Sequence, residues 1–127
     1  MQTILIIDDD PAGTQLLATL LKMEGYQPHP LKDWEEPLEE VAQLRPDLVI
    51  MDVYLRTTTG FALLHKLRSH PDPQIAQTPV LLMSAEDQAA KSAQAGAAGF
   101  LEKPFQIQDL LDAIQRILAA PENTRGS

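Results

Sequence analysis

The segment from Pro46 to Tyr54 constrains the fold of this chain more than any other stretch. Leu48–Met51 and Val53 are apolar, and Asp52 interrupts them near the end of the run. A continuous apolar run of this length, opened by proline and closed by a charge, is typical of a strand buried on both faces. A carboxylate at the end of such a strand costs free energy unless a partner compensates its charge. Because ligands of open parallel sheets bind at this edge, Asp52 is our candidate reactive residue.

Strand-like and helix-like segments alternate along the rest of the chain. The other predicted strands are Thr3–Ile7, Gln27–Pro30, Pro79–Met83 and Gly99–Leu101. The first predicted helix begins at Pro11 and is stopped by Gly25. The others are Trp34–Leu44, Gly60–Arg68, Asp87–Ala95 and Ile107–Leu118, and Ser69–Thr78 is predicted to be a loop. This alternation predicts a doubly wound α/β fold, with five parallel strands flanked by five helices. The prolines of Gln27–Pro30 require an edge position, which favours the flavodoxin-like strand order 2-1-3-4-5.

The composition fits one domain and excludes several classes of partner. A length of 127 residues suits a single domain, which we place at residues 1–120, with residues 121–127 as a flexible tail. No apolar run approaches the ~18 residues of a transmembrane helix. The net charge of −8 argues against direct binding to nucleic acid or anionic membranes, but it is compatible with a divalent cation. The absence of cysteine excludes disulfides and thiolate metal sites and fits a cytoplasmic protein.

The predicted strand order brings several polar side chains to one edge of the sheet. Asp8 and Asp9 follow the first strand, and Asp52 ends the third, so the three carboxylates are expected in one crevice. They repel one another, and a hard cation such as Mg²⁺ relieves that repulsion. Ser84 and Lys103 follow the fourth and fifth strands. Carboxylates, Mg²⁺, a hydroxyl and a lysine suit phosphoryl transfer to a carboxylate, with Asp52 attacking phosphorus in line.

Four motifs, in order and at matching spacing, give the chain its resemblance to a known family. They are Ile6–Asp10, Asp47–Asp52 with Gly60 eight positions on, Met83–Ala85 and Gly99–Phe105. Over nearly its whole length the chain resembles the receiver domain of two-component response regulators, in the CheY-like superfamily.

The resemblance implies a role for each residue of the predicted site. Asp52 would be the phosphoacceptor, and Asp8, Asp9 and the backbone carbonyl of Tyr54 would hold Mg²⁺ together with it. Ser84 and Lys103 would contact the phosphoryl group, and Lys103–Pro104 would be a cis peptide. Phe100 would be a rotamer switch coupled to Ser84, although a buried core phenylalanine explains this residue nearly as well.

The resemblance also implies partners. The phosphodonor would be a histidine kinase or a phosphotransfer protein, and the downstream protein or effector domain is unknown. Phosphorylation would alter the surface formed by the Ala-rich helix, the fifth strand and the last helix, the α4-β5-α5 surface of the family. The chain would not be an enzyme beyond its own phosphorylation and dephosphorylation.

Two other functions remain open at this stage. A haloacid-dehalogenase-like phosphatase also uses a strand-one aspartate and Mg²⁺, but its Asp-x-Asp-x-Thr motif is incomplete here because Ala12 replaces the threonine. A receiver-like docking module would bind partners without phosphorylation. Taken alone, Asp8–Asp10 would be an acidic, helix-capping turn.

The loop after Asp52 is where the chain departs from its family. Arg56 stands where proline is common, and Thr57–Thr59 precede Gly60 where an acidic or amide residue is common. We therefore expect this loop to be more mobile, or shaped for a particular partner. The family tunes phosphate loss two residues after the phosphoacceptor and two after the hydroxyl, here Tyr54 and Glu86. Our hypothesis is that the Tyr54 ring restricts the attacking water.

Overall fold

Five parallel strands form the sheet that the apolar runs predict. The computed structural model describes residues 1–119. The strands are β1 (Thr3–Ile7), β2 (Gln27–Pro30), β3 (Leu48–Asp52), β4 (Val80–Ser84) and β5 (Gly99–Glu102). Their order is β2-β1-β3-β4-β5, and every neighbouring pair is parallel. The predicted order is confirmed, with the proline-bearing β2 at one edge.

Helices connect the strands, and the described residues contain one helix more than the five predicted. The helices are α1 (Pro11–Met23), α2 (Pro37–Leu44), α3 (Gly60–Arg68), α4 (Pro73–Ala76), α5 (Ala89–Gln94) and α6 (Ile107–Leu118). The prediction of a plain loop over residues 69–78 is wrong, because it contains α4. The Asp72 carboxylate caps this short helix by accepting a hydrogen bond from the Gln74 N–H at 3.0 Å.

Two helices are shorter than predicted. Helix α2 begins at Pro37 and not at Trp34. The Asp33 carboxylate accepts hydrogen bonds from the Glu35 and Glu36 amides, which holds this stretch in a turn and leaves the first helical position to proline. Helix α5 covers only Ala89–Gln94 of the predicted segment from residue 87 to 95.

The core has two layers because side chains of a strand alternate between the faces of the sheet. One face of β1, β3 and β4 packs against α2 and α3, through residues such as Val41 and Leu64. The other face packs against α1 and α6, through residues such as Leu21 and Ile114. All five residues of both β3 and β4 are buried. Burial on both faces holds the carboxyl ends of these strands in fixed positions, and the candidate site lies there.

The predicted domain boundary at residue 120 and the predicted flexible tail at 121–127 lie outside the described residues. Within residues 1–119, no helix has the length and apolar character needed to span a membrane.

Candidate functional site

Asp52 and Asp8 meet at the carboxyl edge of the sheet. Strands β1 and β3 pair with Ile7 opposite Met51. Asp8 and Asp52 are the next residues along the chain, so they lie at the same level of the sheet edge. Both carboxylates are largely buried, with only 9% of Asp8 and 8% of Asp52 exposed. Burial of the Asp52 carboxyl, followed by its hydrogen bond with Asp8 and the charge of Asp8, raises the pKa of Asp52 from 3.8 to about 7. Asp52 is therefore only partly ionised near neutral pH.

Lys103 supplies the positive charge beside this pair. Its Nζ lies 2.7 Å from Oδ1 of Asp52, and it lowers the pKa of that carboxyl, although less than burial and Asp8 raise it. The residue directly follows β5, and its backbone N–H donates to the Ser84 carbonyl at 2.7 Å. The Lys103–Pro104 peptide bond is cis, as the resemblance implies.

Ser84 ends β4 next to Asp52 and is buried, with 3% of its surface exposed. Strands β3 and β4 pair with Asp52 opposite Met83, which places the serine one step further along the edge. The Ser84 Oγ accepts a hydrogen bond from the Glu86 N–H at 3.2 Å. Accepting this bond leaves the hydroxyl proton available to donate to a ligand.

The residue directly after the Tyr54–Thr59 loop must be a glycine because there is no room for a side chain at position 60. A Cβ atom at this position would lie 2.5 Å from the backbone carbonyl oxygen of Asp52, a distance that real Cβ atoms do not reach. The Gly60 N–H also donates to the Val53 carbonyl at 2.6 Å. The start of α3 therefore packs directly against the end of the strand that carries Asp52.

The carboxylates of Asp9 and Asp10 each accept a backbone hydrogen bond from outside the Asp8–Asp52 pair. The Asp9 Oδ2 accepts a hydrogen bond from the backbone N–H of Arg56. Asp10 is the N-cap of α1 and accepts from the Ala12 N–H at 3.2 Å. The sequence prediction of three converging carboxylates is thus met by Asp8 and Asp52, whereas Asp9 lies beside them and contacts the loop after β3.

The donor set suits a hard cation in its chemistry. Carboxylate oxygens are the ligands that Mg²⁺ prefers, and Asp8 and Asp52 supply them side by side at the sheet edge. Within residues 1–119, no three acidic, histidine or cysteine side chains are gathered closely enough to hold a metal ion. Asp8 and Asp52 form the core of such a site, and Asp9 would complete it only after moving toward the pair.

The loop from Tyr54 to Thr59 is a small hairpin. Tyr54 pairs with Thr59 in an isolated antiparallel bridge, and the Leu55 N–H donates to the Thr58 carbonyl at 3.1 Å. The Tyr54 hydroxyl accepts a hydrogen bond from Gln88 at 2.8 Å. The same hydroxyl donates a hydrogen bond to a carboxylate oxygen of Glu86 at 3.4 Å. These contacts bridge the loops that follow β3 and β4; whether the loop is mobile, as the sequence led us to expect, stays a prediction.

Phe100 lies on β5 and is half-buried. It packs against the core layer that contains α2 and α3. In the pairing of β4 with β5 it lies opposite Leu82, two residues before Ser84. It therefore lies on the strand next to Ser84, and its predicted coupling to that hydroxyl stays a prediction.

A cleft of about 610 Å³ opens beside the acids. Its lining includes Asp8, Asp9, Gln15, Trp34 and Arg56. Trp34 is the single tryptophan of the chain and 41% of its surface is exposed. The cleft does not follow from residue type, and neither do the hydrogen bonds from Gln88 to Tyr54 and from the Arg56 N–H to Asp9. These features depend on how the loops approach each other.

The comparisons with known proteins identify the family. The model of the response regulator receiver domain matches residues 4–115. The chain belongs to this family. It is 36% identical over 121 residues to the DNA-binding dual master transcriptional regulator RpaA of Synechocystis, covering 93% of this chain and 49% of RpaA. It is 31% identical over 118 residues to the regulatory protein AtoC of Escherichia coli, covering 91% of this chain and 25% of AtoC.

Solved structures agree with this assignment. The chemotaxis protein CheY4 of Vibrio cholerae superposes with a TM-score of 0.80 at 30% identity, covering 92% of this chain and 98% of that one. A two-component response regulator from Clostridium difficile gives 0.80 at 26% identity, with coverage of 93% and 96%. The chain spans about half the length, or less, of the curated relatives it matches. It is thus a response regulator receiver domain of the two-component type, and it retains the fold of these relatives.

Proposed function

We propose that this receiver domain is a phosphorylation-activated switch in which Asp52 accepts a phosphoryl group. The donor would be a phosphohistidine of a histidine kinase or phosphotransfer protein. The observation that carries the proposal is the buried Asp52 carboxylate with the Lys103 ammonium 2.7 Å away. A buried carboxylate at a sheet edge, beside a second acid and a lysine, matches the needs of phosphoryl transfer to a carboxylate.

In the proposed transfer, a carboxylate oxygen of Asp52 forms a bond to phosphorus as the donor's phosphorus–nitrogen bond breaks. The electron pair of the broken bond stays on the imidazole nitrogen. Lys103 is close enough to contact a phosphoryl group on Asp52 and to neutralise its equatorial oxygens. Ser84 has a hydroxyl proton to donate to the same group, and its movement toward phosphate would be the first step of switching.

We propose Mg²⁺ as the cofactor. Asp8, Asp9, Asp52 and the backbone carbonyl of Tyr54 would hold it. When bound, the ion would keep Asp52 ionised and balance the charge of the phosphoryl oxygens. Asp8 and Asp52 are already adjacent, and burial followed by the neighbouring Asp8 raises the pKa of Asp52, so a bound cation would favour its ionised form.

The output of the switch would be the surface of α5, β5 and α6, with Phe100 changing rotamer as Ser84 moves. Helix α5 is rich in alanine, and Ser92 is its one buried residue, so few large side chains oppose its displacement. Curated relatives are longer than this chain, and the first of them is named as a DNA-binding regulator. We therefore propose that the downstream partner is an effector domain or a separate protein, with no nucleic acid bound by the receiver itself.

The phosphatase alternative loses support from the position of Asp10. In the Asp-x-Asp motif of those enzymes the second acid must act on the substrate, whereas here Asp10 caps α1. The docking alternative predicts no phosphorylation at all, so it is tested by the same experiment as the main proposal.

The experiment is incubation with Mg²⁺ and acetyl phosphate, followed by intact mass spectrometry. We expect one added phosphoryl group in the parent and none in Asp52→Asn. A matched control is Asp47→Asn, since Asp47 lies at the opposite end of β3 and accepts from the Thr3 N–H; this variant should label like the parent. Equal labelling of Asp52→Asn and the parent would refute Asp52 as the acceptor, and no labelling of the parent would favour the docking module.

A further inference from the structure

The Asp9 carboxylate is bonded to the loop after β3. Its Oδ2 accepts the backbone N–H of Arg56 at 2.5 Å. Asp8, one residue earlier, lies beside Asp52 at the sheet edge. The two successive carboxylates at the end of β1 therefore have different neighbours: Asp8 lies beside Asp52, and Asp9 contacts the loop.

The partner of Asp9 lies at the tip of the hairpin that follows β3. The bridge between Tyr54 and Thr59 and the hydrogen bond from the Leu55 N–H to the Thr58 carbonyl close this loop, and Arg56 lies within its turn. A hydrogen bond between an ionised carboxylate and an N–H is stronger than one between neutral groups. Asp9 therefore connects the end of β1 to the tip of this loop.

We propose that the Arg56 N–H competes with Mg²⁺ for Asp9, so that metal binding releases the tip of the loop. This inference rests on the proposed function, because it takes the acids as the metal site. Its basis is that Asp8 and Asp52 are adjacent, while no third acidic side chain joins them within residues 1–119. Asp9 does not yet join the pair, so its carboxylate must move toward Asp8 and Asp52 to complete the ligand set, and that movement lengthens its short hydrogen bond with Arg56.

The competing donor exists because residue 56 is not proline. Proline has no backbone N–H, so a proline at position 56 would leave Asp9 without this donor. Arginine keeps the N–H. This hydrogen bond thus weakens Mg²⁺ binding and couples the metal to the conformation of the Tyr54–Thr59 loop.

The first test uses the unmodified protein. Amide proton NMR shifts are recorded with EDTA and then with saturating Mg²⁺. We expect the Arg56 amide to lose the downfield shift and the exchange protection that a carboxylate acceptor gives. The Gln74 amide is the matched control, since it also donates to a carboxylate, that of Asp72, at 3.0 Å on α4. Its shift should not change.

The second test separates the N–H from the guanidinium. Arg56→Pro removes both, whereas Arg56→Ala removes only the guanidinium charge. Mg²⁺ affinity is measured by titration calorimetry and by the fluorescence of Trp34, which lines the same cleft as Asp9 and Arg56. We expect Arg56→Pro to bind Mg²⁺ about tenfold more tightly than Arg56→Ala, which corresponds to about 1.4 kcal/mol.

The outcomes distinguish this inference from the proposed function. Mg²⁺ binding with an unchanged Arg56 amide, or with equal affinities of the two variants, overturns the inference and leaves the metal site intact. Absence of Mg²⁺ binding in all three proteins overturns both. Because the NMR test needs no substitution, a misfolded Arg56→Pro variant does not prevent a decision.

Discussion

Replacing Asp52 by asparagine should stabilise the protein at neutral pH while removing its proposed acceptor. Only 11% of the Asp52 side chain is exposed. Burial, together with Asp8, raises the pKa of this carboxyl from 3.8 to about 7. Each pKa unit corresponds to about 1.4 kcal/mol, so ionising this group in the folded protein costs on the order of 4 kcal/mol relative to the unfolded chain. Asparagine has nearly the same shape and carries no charge.

The sign of the pH dependence follows from proton binding. Between pH 3.8 and about 7 the folded protein keeps the Asp52 proton that the unfolded chain has lost. The folded state binds more protons in this window, so the free energy of unfolding of the parent falls as the pH rises through it. Asp52→Asn lacks this term. Between pH 5 and pH 7 the variant should therefore gain about 2 kcal/mol relative to the parent.

Urea denaturation with EDTA at pH 5, 6, 7 and 8 measures this difference. Titrating groups that do not contact Asp52 contribute equally to both proteins, so their contributions cancel in the comparison. Saturating Mg²⁺ should stabilise the parent more than the variant, because a ligand that binds only the folded state adds to its stability. Parallel stability curves for the two proteins in EDTA would refute the reasoning, since they would mean that Asp52 titrates alike in the folded and unfolded states.

Three further predictions address single residues near Asp52. Tyr54→Ala should lose its phosphoryl group faster than the parent and than Tyr54→Phe, which keeps the ring; an unchanged or slower rate by timed intact mass would contradict the water-restriction hypothesis. Lys103→Met should slow phosphorylation by acetyl phosphate by about a hundredfold, because the charge beside the acceptor is lost; Lys66→Met, at an exposed site on α3, should react at the parent rate, and equal rates for both variants would exclude the proposed role. Gly60→Ala should lower the free energy of unfolding by about 1–3 kcal/mol in urea, because its Cβ would meet the Asp52 carbonyl; a stability equal to the parent would show that the helix start can shift freely.

The sheet was predictable from the sequence because its signals are strong and act over short distances. The all-apolar runs of β3 and β4 are characteristic of central strands, and the prolines of β2 are tolerated only at an edge. Once the order is set, the ends of β1, β3, β4 and β5 meet at one edge, which accounts for the positions of Asp8, Asp52, Ser84 and Lys103. The family resemblance pointed to the same residues independently.

Other features depend on local hydrogen bonds that compete with the helical pattern. Asp33 holds the two residues before Pro37 in a turn, which delays the start of α2. Asp72 caps a helix of only four residues, too short to show a periodic pattern. The direction of the Asp9 carboxylate depends on a backbone N–H in a distant loop. Every residue except proline has such an N–H, so residue type does not indicate which one Asp9 contacts.

The most direct test of the central claim is chemical mapping of the phosphorylated residue. The protein is labelled with acetyl phosphate and Mg²⁺, reduced with borohydride and digested, and the peptides are sequenced by mass spectrometry. Reduction converts an aspartyl phosphate to homoserine, so the account predicts homoserine at position 52 in the peptide that contains β3. Homoserine at Asp8 or Asp9 instead, or phosphate retained on a histidine or hydroxyl residue with none at position 52, would contradict it.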